Sequence, residues 1–237
     1  MELTLLKAVQ MTLSALDSNN IDTLADGDIE AEQVVFIANR VYNDILSRRE
    51  WPFLIKEGTL IASGEQWEMV IPDNYTTIHE VRYRNNVIKY INPTQFNKLI
   101  YSRNTDEDNV NDSFILIDRD PIYYTSYDDT TLVFDSFNHN VESNLLESNS
   151  YIIYNHLPNS MLDYDEDVPD IPYRFMNVWL DGILAHAYAE LKQDNTNAQY
   201  KFNLYNRGIS SMIRWARNIE DTKPNAYANY ISGIRSI

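Results

Sequence analysis

Asp167-Val168-Pro169-Asp170-Ile171-Pro172 leads into Met176, Trp179, Leu180, Ile183, Leu184, Ala187 and Leu191, which line one broad helical stripe. Proline disfavours helix in the residue before it, so a helix is predicted only after Pro172. Asp194-Asn195 breaks this helix. A last one is predicted over about 197–217, where Ala198, Phe202, Tyr205, Ile209, Met212 and Ala216 recur at steps of four and three.

Helical spacing also marks the other end of the chain. Leu5, Val9, Leu13 and Leu16 predict a helix over 4–18 that Thr4 can cap. Val34, Ile37, Ala38, Val41 and Ile45 predict a second over about 29–49, with Asp28 as its cap and Pro52 as its stop. Between the two helical pairs the residues suit strands: 57–62 and 66–71 around Ser63-Gly64, Ile78 to Tyr83 and Val87 to Ile91 around an Asn85-Asn86 turn, then stretches near 114–117, 121–126, 131–135 and 150–155. Asn92 and Pro93 mark one short helix to Ile100. The polar, acidic residues 104–113 read as a mobile loop.

Helices, then strands, then helices in blocks indicate an α+β chain. The expected architecture is a four-helix bundle built from both chain ends (1–56 and 172–218), an inserted β-rich domain (57–171) and an extended C-terminal arm (219–237). The arm has Pro224 and Gly233 and lacks a helical stripe.

With 237 residues and 44% apolar content, the chain can bury a sizeable core. No apolar run approaches the roughly 20 residues that cross a bilayer, and Met1 to Lys7 has no secretory pattern. The absence of cysteine excludes disulfides and thiolate metal sites. Net charge is −16, and 57–171 alone holds 21 acidic and 6 basic residues, a balance of −15. Such a surface disfavours nucleic acid and suits a basic partner.

No nucleophile or phosphate-loop signature is present. His79, His139, His156 and His186 do not pair at metal-ligand spacing. Asp163, Asp165 and Asp167 alternate like the first ligands of a calcium loop, but Val168 stands where that loop needs glycine and Arg174 where it needs glutamate. No cofactor or metal is expected. The many carboxylates leave a cell-wall glycoside hydrolase as one alternative. The four tryptophans and 17 tyrosines leave a carbohydrate-binding module as another, with Tyr123, Tyr124 and Tyr127 crowding one strand. Trp179 is assigned to the core.

Several passages together resemble bacteriophage head-to-tail adaptors of the tail tubular protein A class, over roughly residues 3–218. They are Leu24 to Glu32 leading to Ser47-Arg48-Arg49-Glu50-Trp51-Pro52, then Ile71-Pro72-Asp73-Asn74-Tyr75 with Ile91-Asn92-Pro93, and Tyr151 to Tyr154 followed by Asp167 to Pro172 and Gly182 to Ala187. Glu50 departs from the glycine usual before the tryptophan. The resemblance implies a structural protein of the virion, not an enzyme. It implies a dodecameric ring between the portal protein and the next tail or nozzle protein, with genomic DNA passing through the lumen without sequence-specific binding and no membrane contact. On that reading Gly182, Ala185 and Ala189 are candidate subunit-interface residues. Asp163, Asp165 and Asp167 are candidate tail contacts. Tyr227, Tyr230, Ile231, Ile234 and Ile237 are candidate portal contacts.

Overall fold

Helix α1 (Leu5–Ala15) begins where the Thr4 side chain accepts the Lys7 amide, and α2 (Ile29–Ser47) where Asp28 accepts the Ala31 amide. Both caps satisfy first-turn donors that have no partner within their helix. α4 (Met176–Glu190) and α5 (Asn195–Thr222) follow the acidic stretch, and Asp194 accepts the Thr196 and Asn197 amides at the entry to α5. The computed structural model describes residues 3–73, 75–103, 115–158 and 161–222. α5 continues past the predicted end at 217, so the first residues assigned to an extended arm are helical; the rest of the arm lies outside the described residues, as does the loop expected over 104–113.

The chain divides into two units. Met1–Leu54 with Pro158–Ile237 forms the helical unit, and Ile55–Leu157 forms the sheet unit. This puts the boundary before the acidic stretch rather than after it.

The expected four-helix bundle is not what forms. Among the described residues there are five helices and an eight-stranded, curled mixed sheet, a half-barrel, with 45% helix and 21% strand. In a bundle each helix turns one stripe to a common axis. Here α4 is buried nearly all round, through Val178, Trp179, Gly182, Ile183, Leu184, Ala185 and Ala187, and α1, α2 and α5 each pack on it. A helix that is apolar all round is an enclosed one. The Trp179 indole donates to the Ala38 carbonyl at 3.0 Å, satisfying its one polar group inside that core.

In the sheet unit the strands are β1 (Ile55–Gly58), β2 (Ile61–Ala62), β3 (Glu68–Val70), β4 (Tyr75–Tyr83), β5 (Asn86–Tyr90), β6 (Tyr123–Ser126), β7 (Thr131–Phe134) and β8 (Ser150–His156). Their order is β1-β8-β4-β5-β6-β7-β3-β2. Among the described strands only β5 and β6 pair in parallel, and α3 (Pro93–Ser102) lies in their connection, as a parallel pair requires a crossover. β1 and β2 stand at opposite ends of this order, yet only Thr59 and Leu60 separate them. The sheet must therefore curl to bring its ends together. Register shifts in β4 add curvature, and buried Leu60 ties the corner by donating its amide to Ser150 Oγ at 2.9 Å. The segment near 114–117 forms an isolated bridge, Leu116 to Ser136, instead of a strand.

The β4–β5 turn falls at Arg84-Asn85, one residue earlier than Asn85-Asn86, because Tyr83 pairs with Asn86. Arg84 takes a left-handed backbone, φ 52°, that side chains rarely adopt. Its guanidinium bonds Asp120 at 2.8 and 3.1 Å and pairs with Glu142 at 3.3 Å, which offsets the strain.

Candidate functional site

The acidic loop, expected to face a tail protein, belongs to the helical unit and is largely engaged there. The Asp165 carboxylate accepts the Thr23 hydroxyl at 2.7 Å and the Leu24 amide at 2.9 Å. The Asp167 carboxylate accepts the Asp163 and Tyr164 amides at 2.7 and 2.9 Å. The carbonyls of Asp167 and Asp165 accept the Leu5 and Leu6 amides, supplying partners that the first turn of α1 lacks. Asp163 alone of the three keeps an exposed side chain. With the boundary at Leu157, the sheet unit has 16 acidic and 7 basic residues, −9, and the helical unit 19 and 12, −7. Neither unit monopolises the acid.

The proposed subunit-interface residues are also engaged within the chain. A Cβ at Gly182 would lie 2.5 Å from Val41 Cγ1 and 3.0 Å from the Tyr205 ring. Ala185 is fully buried and Ala189 half-buried. The close helix approach that Gly182 permits is made between α4 and its neighbours α2 and α5.

Two linked carboxylates stand where these helices meet. Asp44 accepts from the Tyr205 hydroxyl at 2.6 Å and from Arg48 at 2.7 Å. Burial opposes its charge, but these donors outweigh it and hold the carboxyl below its ordinary range. Glu190 pairs with Arg40 and lies 2.9 Å from His186 Nδ1. It too is held below the ordinary range, by Arg40 and then His186 against the effect of burial. The His186 ring sits edge-on to Phe202 at 5.0 Å. Its Glu190 partner one turn on is legible in the sequence as an i, i+4 pair.

The sheet unit contains two buried carboxylates that sequence reasoning missed. Asp135, 1% exposed, takes Arg103 at 2.8 Å and the Ile122 and Tyr123 amides at 2.9 and 2.8 Å. Glu142 takes the Tyr83 hydroxyl, Asn149 Nδ2 at 3.0 Å and Arg84. Burial and the Glu142 carboxylate push the Tyr83 hydroxyl up to about 12. The available signal was Asp135 standing between Phe134 and Phe137, since a charge inside an apolar run is usually paired. Of the crowded tyrosines, Tyr124 is buried, Tyr123 half-buried and Tyr127 exposed, with its hydroxyl donating to Asn97 at 2.8 Å. Trp51 and Trp179 are fully buried. Trp215 packs edge-on to Phe175 at 5.3 Å, and Trp67 is partly buried against the sheet core.

The helical unit also carries exposed apolar side chains. Ile29 and Phe36, seven residues apart on α2, are 73% and 67% exposed. They border an open groove of about 450 Å³ with Glu32, Gln33, Ile37, Glu190 and Leu191. Both were readable as apolar residues off the buried α2 stripe. A second groove of about 380 Å³ runs between Met11, Leu180 and Tyr173, with Lys7 and Arg174 at its edge. The candidate portal contacts Tyr227, Tyr230, Ile231, Ile234 and Ile237 lie outside the described residues.

Among the described residues, no group of three or more His, Asp or Glu side chains is placed to hold a metal ion. Among the same residues, no helix is long and apolar enough to cross a membrane. No protein-family model matches the sequence, and no curated protein matches it.

Proposed function

We propose that this chain is a structural head-to-tail adaptor, one subunit of a ring between the portal and the tail nozzle of a short-tailed phage virion. Its work on this reading is shape and interface, without a chemical step, while genomic DNA passes through the lumen. The observation that carries the reading is the exposed apolar pair Ile29 and Phe36, held on a well-packed helical unit as a contact face. The ordered motifs from Leu24 to Ala187 support the same assignment. A ring is a heterologous interface repeated until it closes, so each copy must offer two different patches. The test is electron microscopy and mass photometry of the protein mixed with the portal of its own virion. Closed rings of many copies on the portal are expected. Absence of any portal-bound oligomer at all salt concentrations tried would overturn the assignment.

A further inference from the structure

We infer that the outer face of α5, through Arg207, Arg214 and Arg217, binds the phosphate backbone of double-stranded DNA. This deepens the ring reading above and rests on it for the source of that DNA, the genome in the lumen. α5 buries Ala198, Tyr205, Ile209, Met212 and Ala216 on one side. At 3.6 residues per turn the three arginines fall within about 80° of one another on the opposite side. All three are exposed, and none has an ion pair or a hydrogen bond among the described residues, although the chain carries 35 acidic side chains. Other cations of the helical unit are engaged: Lys201 reaches Asp181 at 2.8 Å, and Arg174 lies 5.2 Å over the Trp215 ring. The cause is local, since α5 has no acidic residue from Asn195 to Ile219.

The composition of the face decides between a nucleic acid and an acidic protein. From Asn203 to Asn218 no large apolar side chain of α5 is exposed. The face therefore lacks the apolar centre on which a protein interface is built. What stands beside the arginines is Asn203, Asn206, Ser210 and Ser211, all exposed. Such side chains bond phosphate and sugar oxygens without reading sequence, and polar, strongly positive contact is what nucleic-acid interfaces have. The guanidinium is a planar fork of donors that fits two phosphate oxygens at once. Arg207 to Arg217 spans about 15 Å of helix, beside which a duplex presents roughly nine phosphate charges. All three arginines can therefore reach one.

The experiment places benzoylphenylalanine at position 210 of the full chain, at the centre of the face, and irradiates it with a labelled DNA duplex far below saturation. Covalent protein–DNA adducts are expected, in equal yield for two unrelated duplex sequences. With three phosphate contacts, raising NaCl from about 50 to about 200 mM should lower the yield about fortyfold. Arg207→Gln, Arg214→Gln and Arg217→Gln should each reduce the salt exponent by about 0.9. The triple variant, with helix content unchanged by circular dichroism, should lose the adduct. Arg119→Gln removes the same charge from the sheet unit, where Arg119 pairs with Asp118, and should leave the yield unchanged. Adducts that survive the triple variant, links to a second copy or to added portal in place of DNA, or no adduct at all would overturn the inference. Mass photometry of the same protein with portal separates the two failures. Portal-bound rings without DNA adducts sink only this face, whereas DNA adducts without any portal-bound oligomer sink the ring.

Discussion

Asp165 holds Thr23 across 142 residues of sequence, its carboxylate 2.7 Å from the threonine hydroxyl. With the Leu24 amide also bound, one side chain ties the α1–α2 connection to the segment that precedes α4. Removing a charged acceptor from partly buried donors costs about 1–3 kcal/mol. Asp165→Ala should lose that much in urea unfolding. Asp163→Ala, at an exposed side chain, should stay within about 0.5 kcal/mol of the parent. Equal losses would refute the role given to Asp165.

Gly182→Ala should destabilise the helical unit. Alanine gains up to about 1 kcal/mol of helix propensity over glycine. The new methyl would, however, meet Val41 and the Tyr205 ring at 2.5 and 3.0 Å. Overpacking of a tight core costs about 1–3 kcal/mol. A lower melting temperature is expected, and a raised one would show that α2 and α5 can yield.

Arg103→Ala should loosen the sheet unit by about 3–5 kcal/mol, the cost of leaving a buried carboxylate without its cation. Asp135 is 1% exposed, and the Ile122 and Tyr123 amides are its other close donors. Hydrogen exchange should accelerate in α3 and β6 while α4 stays protected. Unchanged exchange in β6 would mean that the amides alone satisfy Asp135.

Acid should weaken the helical unit through Asp44 and Glu190. Both carboxyls titrate below their ordinary values in the folded chain. The unfolded chain then binds protons first, so their contribution is present above about pH 4 and is lost as pH falls further through the folded values. Both side chains are over 40% exposed, so salt should reduce the effect. Melting temperature against pH should fall less steeply below pH 4 for Asp44→Asn with Glu190→Gln than for the parent. Parallel curves would exclude these two groups as the cause.

What the sequence determined by itself was local. Thr4, Asp28 and Asn92 cap helices because a side-chain oxygen reaches an amide two or three residues on, whatever the rest of the chain does. The β4–β5 hairpin was legible, but its turn moved one residue because distant Asp120 and Glu142 hold Arg84. The stripe on α4 was read as one face of a bundle. Only packing on three helices showed that Val178, Gly182 and Ala185 are buried too. The acidic run 163–170 read as a free surface, since composition cannot reveal that Thr23, Leu24 and the start of α1 need its oxygens. The candidate contact face shows the same division. Ile29 and Phe36 were plainly apolar, but their exposure depends on which side of α2 the core occupies, and α1 and α4 decide that. Periodicity and caps act over a few residues and survive in one dimension. Enclosure, sheet closure and charge pairing join residues far apart in sequence, so tertiary structure alone decided them.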